Sequence, residues 1–439
     1  MTRRSHAPHP RPFQRFFQTE AAGSVLLLLS AFSALIAANS PWAGAYQRLW
    51  SIPLTIGIPN QSLSLMLHRW VSDGLMAVFF LHVGLEIKRE LVAGELSSPR
   101  QAALPIAGAV GGMVLPAAIY LLVNHSGVEA RGWGIPMATD IAFALGTLTL
   151  IAPTIPVGAK VFLTALAIVD DMGAVVVIAL FYTHALNWTA LILSGLTLGA
   201  LLTLNVTRVG RLAPYLLLGA LLWLFMHESG IHSTIAGVLL AFTIPTRTRI
   251  NPDEFSTEAR VLLDEFERTE TGDYLVLTSK GQQDALFSLG RASEAVTAPL
   301  LRLEHALHTF SAFVIMPLFA FSNAGVSIGG SVLDWSVILG VTLGLALGKP
   351  LGITGAAAAA VVGDVAAVPR GVRWSALHGC AWVGGIGFTM SLFIANLAFE
   401  GTPLLDSAKV GILAGSVVAV LVGGIVIRVS GSGAVGEDE

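Results

Sequence analysis

A single cysteine, Cys380, stands in 439 residues, which excludes a disulfide framework and any multi-thiolate metal site. Its small, apolar neighbours mark it as a packing residue, since a free thiol behaves as a small hydrophobe. Charge is nearly as scarce. Only 12% of residues are Asp, Glu, Lys or Arg, and the formal net charge is −3. That near-neutral balance says little about partners, and no nucleic acid is expected among them. With 54% hydrophobic residues and a mean hydropathy of +0.73, the chain is too apolar for an ordinary soluble protein. It reads as an all-α polytopic membrane protein, with the lipid bilayer as its first partner.

A window of about 19 residues finds twelve spans. They lie near 20–38, 69–86, 102–123, 134–152, 160–183, 188–206, 212–227, 229–245, 306–327, 335–361, 376–399 and 408–427. The basic residues Arg3, Arg4, Arg11 and Arg15 precede the first span. Its apolar run continues without a clean cleavage site, so it reads as a retained helix rather than a removed signal. With the N-terminus inside, twenty of the 25 Lys and Arg fall on the inner side and only Arg48, Arg69, Arg131 and Lys409 outside. Lys349 belongs to neither side. This bias sets both termini in the cytoplasm of a multi-pass protein. The expected organisation is a tail at 1–19, a membrane domain at 20–428 and a disordered tail at 429–439. Polar residues interrupt the membrane domain at length only once, in a cytoplasmic insertion at about 246–302. That stretch has too few apolar residues for a core, although part of it can form an amphipathic helix, and it reads as a linker or regulatory insertion. On the outer side, LTIGIPNQSLSLML in the loop 39–69 predicts a hairpin around Pro59 and Asn60. Lone hairpins are marginal, so a second subunit is the expected partner for this one.

The other spans are organised around the fifth, KVFLTALAIVDDMGAVVVIALFYT, residues 160–183. As a helix it is about 36 Å long and crosses a hydrocarbon core of roughly 30 Å, which puts Asp170 and Asp171 near the midplane. A charged side chain there costs about 2.5 to 3.5 kcal/mol on insertion scales, so two adjacent acids mark a functional site.

Two further spans carry helix breakers at their centres. The fourth contains Pro136, Thr139 and Asp140 in GIPMATDIAFALG, and the eleventh contains Gly384, Gly385, Gly387 and Thr389 in CAWVGGIGFTMSLF. Non-helical backbone at that depth requires protein or water around it. The breaks hold matching places in two three-helix groups, spans three to five and ten to twelve, which start from opposite sides. Inverted repeats with two unwound, crossing helices are therefore expected, and paired interruptions of this kind point to a transporter binding site.

Adjacent helical residues point about 100° apart, so Asp170 and Asp171 meet different neighbours. Lys349, in LGKPLG of the tenth span, is a candidate partner for one of them. A hard monovalent cation is satisfied by carboxylates, the Thr139 hydroxyl and freed carbonyls, without cysteine or histidine. Burial favours the protonated carboxyl and a nearby cation favours the ionised one. Such a site exchanges protons for a metal ion, and moves net charge when more than one proton leaves per ion. Several residues also have plain structural readings: Asp140 as a helix cap at the break, Asp73 as a solvated helix end, the run Glu86, Lys88, Arg89 and Glu90 as a salt-bridge cluster, and His232 as a packing histidine.

ATDIAFALG, ALAIVDDMGA, IHSTIAGV, LFAFSNAGV, GKPLGI, GIGFTMSLFIANLAF, FFLHVGLEIKREL and LEHALH occur in order between about residues 16 and 428. Together they resemble the NhaA-type sodium/proton antiporters. The resemblance implies a pH-regulated, electrogenic antiporter of a bacterial inner membrane, a homodimer that exchanges sodium or lithium for protons, with no cofactor and no enzymatic activity. It implies that Asp170 and Asp171 bind sodium, that Asp140 and Thr139 sit at the crossing, and that Lys349 pairs with Asp170 and balances helix ends. It further implies a cytoplasmic pH-sensing cluster of Glu86, Arg89, Glu90, Glu304, His305 and His308, with His232 also affecting the pH profile. The insertion after Pro245 is longer and more acidic than the family leads one to expect. Two other classes compete. A sodium-coupled symporter of an organic solute needs a larger polar cavity. An intramembrane aspartyl protease using Asp140 and Asp170 needs a glycine-flanked aspartate in a span, and Gly363–Asp364 falls in a loop instead. A passive channel fits poorly, because carboxylates paired with lysine hold an ion too firmly.

Overall fold

The structure is a computed structural model that describes residues 12–58, 61–153, 155–183, 186–248, 250–268, 279–327, 333–369 and 371–431. Arg3, Arg4 and Arg11 of the N-terminal tail, Pro59 and Asn60 at the hairpin tip, Arg249 and Arg370, residues 269–278 of the insertion and 432–439 of the C-terminal tail lie outside the described residues.

The chain is helical almost throughout, as its apolar windows require. In order it forms α1 (Pro12–Ala38), α2 (Ala43–Trp50), the strands β1 (Pro53–Ile58) and β2 (Gln61–Met66), α3 (Leu67–Ala93) and α4 (Pro99–Val123). A 3-10 segment (Glu129–Met137) then leads into α5 (Ile141–Ile151), followed by α6 (Val157–Phe181), α7 (Trp188–Val206), α8 (Leu212–Ser229) and α9 (Ile235–Thr243). The remainder is α10 (Pro252–Arg268), α11 (Lys280–Val296), α12 (Pro299–Asn323), α13 (Trp335–Val362), α14 (Trp374–Val383), α15 (Phe388–Phe399) and α16 (Leu404–Gly431). Among the described residues, nine helices are long and apolar enough to cross a membrane, or eleven if each bent pair counts as one span. The expected span at 229–245 differs from the rest. Gly230 adopts a left-handed conformation (φ 85°) that ends α8, turns follow through Thr234, and only nine residues of α9 are helical. A hydropathy window does not see that break because the turn residues are themselves small and apolar.

The hairpin forms as expected, antiparallel from Pro53 opposite Met66 to Ile58 opposite Gln61. In the insertion, the helices α10 and α11 pack against each other. As helices, α1 begins at Pro12 and α16 runs on to Gly431, while their apolar spans cover Ala21–Ala38 and Leu404–Val429.

The inversion is visible in the helix contacts. Along α4, Gly108 approaches Ile353, Pro116 approaches Gly348, and Tyr120 with Asn124 approaches Gly340. Rising numbers meet falling ones, so α4 and α13 are antiparallel. Within each group the outer helices run parallel. Gly108 lies by Leu166 and Met113 by Gly173 in the first, and Gly411 lies by Ile338 and Gly415 by Leu345 in the second. Each group holds a broken pair between its outer helices, bent by 47° at 138–140 and by 45° at 384–387. Glycine permits the contact between the groups. Gly111 of α4 and Gly352 of α13 abut backbone to backbone, the close approach that small residues allow where helices pack in lipid.

Candidate ion-exchange site

The two breaks cross and satisfy each other's backbone. Asp140 N donates to Ile386 O at 2.7 Å, Thr139 Oγ1 to Gly384 O at 2.8 Å and Ser391 Oγ to Ile135 O at 2.7 Å. These bonds replace the intrahelical ones that Pro136 and the glycines forfeit, which is how irregular backbone survives at this depth. Two helix N-termini, those of α5 and α15, converge here with their unpaired N–H groups. Asp140 caps both. One carboxylate oxygen accepts from Phe143 N at 3.0 Å, and the other accepts from Thr389 N at 3.1 Å and from the Thr389 hydroxyl. The capping reading of Asp140 is therefore realised twice over. It is not one arm of a carboxylate dyad.

The opposite end of the first broken helix faces a cation. Lys349 Nζ donates to the Met137 carbonyl, the last residue of the 3-10 segment, and to Asp170 Oδ2 at 2.6 Å. Lys349 and Asp170 are fully enclosed, at 0% and 1% exposure, and Thr139 stands beside the Asp170 carboxylate. The turn before Lys349, Gly344–Gly348, is widened to π-helical form. Pro350 explains it: proline donates no N–H and its ring crowds the carbonyl four residues back, so the helix loosens there. A π-helical turn at Ser311–Ile315 precedes Pro317 in the same relation.

Asp171 is buried next to this pair, yet neither of its carboxylate oxygens has a hydrogen-bond partner, and Asp170 Oδ1 has none either. Three carboxyl oxygens thus remain without hydrogen bonds near the middle of α6. Among the described residues, no three His, Cys, Asp or Glu side chains group as they do around a multivalent metal. The two carboxyl groups offer hard oxygen donors of the kind that suit a small monovalent cation held as cargo.

The expected pH-sensing residues divide between two places. Arg89 joins α3 to α12. It pairs with Glu304 and with Glu90 at 3.1 Å, and approaches Glu86 at 4.0 Å. His308 lies near this group, whereas His305 is exposed on the same helix. His232 is elsewhere. It sits 3.8 Å from Asp73, and its Nδ1 is 2.7 Å from the Thr234 hydroxyl. Both line a cavity of about 540 Å³ with Arg69, Asn396 and Glu400. Asp73 and Glu86 lie about 20 Å apart along α3, so His232 serves the opposite side of the protein. Asp73 is not a solvated helix end. It is 7% exposed and belongs to a π-helical turn, Trp70–Leu75.

Two participants did not stand out in the sequence. Ser391 helps to secure the crossing, and His82 faces His308 with 5.6 Å between ring centroids. The one available signal for His82 was its spacing four residues before Glu86, which puts both on one face of α3.

Inverted three-helix groups, crossed broken helices and a buried acid pair halfway along a spanning helix define a secondary ion transporter. The family profile described as Na+/H+ antiporter 1 matches residues 14–427. The chain is 48% identical to the Na(+)/H(+) antiporter NhaA of Oleidesulfovibrio alaskensis over 96% of both chains. It is also 48% identical to the protein of that name from Koribacter versatilis, over 95% of this chain and 91% of the other. The Acidithiobacillus ferrooxidans protein of the same name is again 48% identical, over 94% of this chain and 96% of the other. This chain belongs to the Na+/H+ antiporter 1 family. Solute symport and intramembrane proteolysis have no support from these relatives.

Proposed function

We propose that this protein exchanges sodium for protons through Asp170 and Asp171. One observation carries the reading: the enclosed Asp170–Lys349 ion pair lies beside Asp171, whose carboxylate oxygens have no hydrogen-bond partner. A carboxylate in a dry interior needs a neutralising partner, and a proton and a small cation are alternative partners for the same oxygens. Sodium entering between the carboxylates displaces the proton of Asp171 and competes with the Lys349 ammonium for Asp170. Loss of a second proton from that amine makes the exchange electrogenic. Lithium, smaller and harder still, takes the same oxygens. Asp140 and Thr139 hold the crossing in shape, and the Arg89 cluster with His308 tunes the pH response. Lysine and arginine asymmetry supports cytoplasmic termini, and the bacterial sources of the relatives support an inner-membrane location. The hairpin, two-stranded among the described residues, supports a homodimer joined through 39–69.

The test is the sodium-induced pH change in everted membrane vesicles, comparing the natural protein with Asp171→Asn. Exchange vanishes in the variant while folding and insertion persist, because this side chain makes no hydrogen bonds that the fold requires. Robust exchange by Asp171→Asn would remove it from the ion site.

A further inference from the structure

The cavity of about 540 Å³ lies between two walls, on the side that the lysine and arginine asymmetry makes the outer one. α3 supplies Arg69, Ser72 and Asp73 to the first wall, and the second has Phe393 and Asn396 of α15 with Glu400 just beyond it. The two helices touch above and below the cavity. Arg69 forms an ion pair with Glu400 at the mouth, where both side chains are about half exposed. Deeper down, Phe80 packs on Phe393 with 5.4 Å between ring centroids. The walls belong to different parts of the fold, because α15 is half of the broken helix in the second repeat and α3 lies outside both repeats. Rocking one such part against the other is how a transporter of this architecture opens its site to either side.

We propose that Arg69 and Glu400 are an outer gate pair: their bridge closes the mouth of the cavity and breaks each time Asp170 and Asp171 turn towards the outer side. This rests on the antiport reading and adds to it the contact that holds the outer side shut. Leverage favours the position. Measured from the break at Gly387, Phe393 is about 9 Å along α15 and Glu400 about 20 Å, so a tilt that parts the two rings carries Glu400 roughly twice as far. Arg69 is not stranded when Glu400 leaves, since Asp73 lies 3.8 Å from it on the same helix. Asn396 donates to Asn323 Oδ1 at 2.8 Å and Lys409 to the Gly325 carbonyl at 3.3 Å, so two further bonds join the repeat to the end of α12. The ion pair shares the closure with them, and an exposed pair is a weak one. Its loss therefore shifts the balance between closed and open mouths by about two- to fivefold.

Ser72 supplies the probe. It lines the cavity at 6% exposure and its hydroxyl has no hydrogen-bond partner, so Ser72→Cys loses no bond. The natural Cys380 is buried and stays silent. The test is the labelling rate of Ser72→Cys in right-side-out vesicles of the full-length protein, with one anionic and one cationic membrane-impermeant methanethiosulfonate. The geometric mean of the two rates, in which a change of local charge cancels, rises about two- to fivefold when Glu400→Gln or Arg69→Gln is added. The double variant goes no further than either single one, because both remove the same contact. A mean that stays unchanged overturns the gate, and should Arg69→Gln fail to fold, Glu400→Gln decides alone. A second arm reads exchange. Arg69→Cys with Glu400→Cys, bridged by a bifunctional methanethiosulfonate, stops sodium-driven proton movement, and dithiothreitol restores it. Undiminished exchange by the bridged protein also overturns the gate. If the natural protein moves no protons with sodium, the antiport reading falls instead, and the labelling rates still decide whether this pair closes the mouth.

Discussion

Lys349 Nζ lies 2.6 Å from Asp170 Oδ2, the two fully enclosed and contributed by different halves of the inverted repeat. Because the same ammonium also holds the Met137 carbonyl, one proton-bearing group ties α13 to α6 and to the broken helix. Removing one member of a buried pair leaves the other uncompensated and costs about 3 to 5 kcal/mol. Lys349→Met is therefore expected to lower thermal stability in detergent sharply. Lys349→Met with Asp170→Asn is expected to recover part of that loss, since no charge is then stranded. A double-mutant cycle on unfolding midpoints measures the coupling, and additive losses would mean that the two side chains do not act as a pair.

Asp140 supports a second expectation. It caps α5 and α15 together, and a lost N-cap costs about 1 kcal/mol, within a range of about 0.5 to 2. Asp140→Ala is thus expected to destabilise the protein by about 2 kcal/mol and to disturb exchange by loosening the crossing. Asp140→Asn keeps one oxygen acceptor but puts an NH2 donor where the other oxygen accepts, so it retains one cap and is expected to lose about half as much, about 1 kcal/mol. Thermal unfolding of both variants separates capping from charge. Equal losses in the two would show that the negative charge, rather than the acceptor geometry, matters here.

The parts of this site that were legible in the sequence are those where residue type contradicts environment. Asp170 and Asp171 in an apolar run, Lys349 inside a span, and Pro136 or Gly384 at the centre of one could be read directly. The crossing followed because the breaks occupy matching positions. What stayed hidden depends on contacts between distant segments. His82 looks like any residue of an apolar helix until α12 brings His308 to it. Asp73 and His232 looked unrelated, and the turns before α9 place them in one cavity. The π-helical turns that seat Lys349 and Asp73 leave no clear periodic signal. In the insertion, α10 and α11 contact one another, a pairing between segments that no local pattern specifies.

A pH effect on stability is expected at Tyr46, on α2 outside the membrane spans. Its hydroxyl donates to Phe321 O at 2.6 Å, and its ring packs edge-on against Trp50 and Phe321. Burial pushes the phenol up to about 12. The fold thus prefers the protonated ring. Its contribution is complete below about pH 10, the ordinary phenol value, and is lost as the pH rises through about 12. Tyr46→Phe sacrifices the hydrogen bond, worth about 1 kcal/mol at neutral pH, and removes this component of alkaline destabilisation. Tyrosinate absorbance alongside unfolding at increasing pH tests it. Ionisation of Tyr46 near pH 10 in the folded protein would contradict the expectation.

The contact between the two repeats allows the sharpest comparison, because two glycines three residues apart on α13 meet different surroundings. A methyl group at Gly352 would collide with the Gly111 carbonyl of α4, whereas one at Gly355 would meet nothing within 4 Å. Backbone cannot yield as a side-chain tip does, so Gly352→Ala must push α13 away from α4. Lys349, one turn earlier on α13, moves with it. Overpacking of this kind costs about 1 to 3 kcal/mol, and the displaced ammonium weakens its bond to Asp170, so both thermal stability and exchange rate fall. Gly355→Ala removes a flexible residue from a helix without a clash, and is expected to be neutral or stabilising by up to about 1 kcal/mol. The two variants share composition, helix and depth, and differ only in what the added methyl group touches. Equal behaviour in unfolding and in vesicle exchange would show that the glycine contact does not set the position of Lys349.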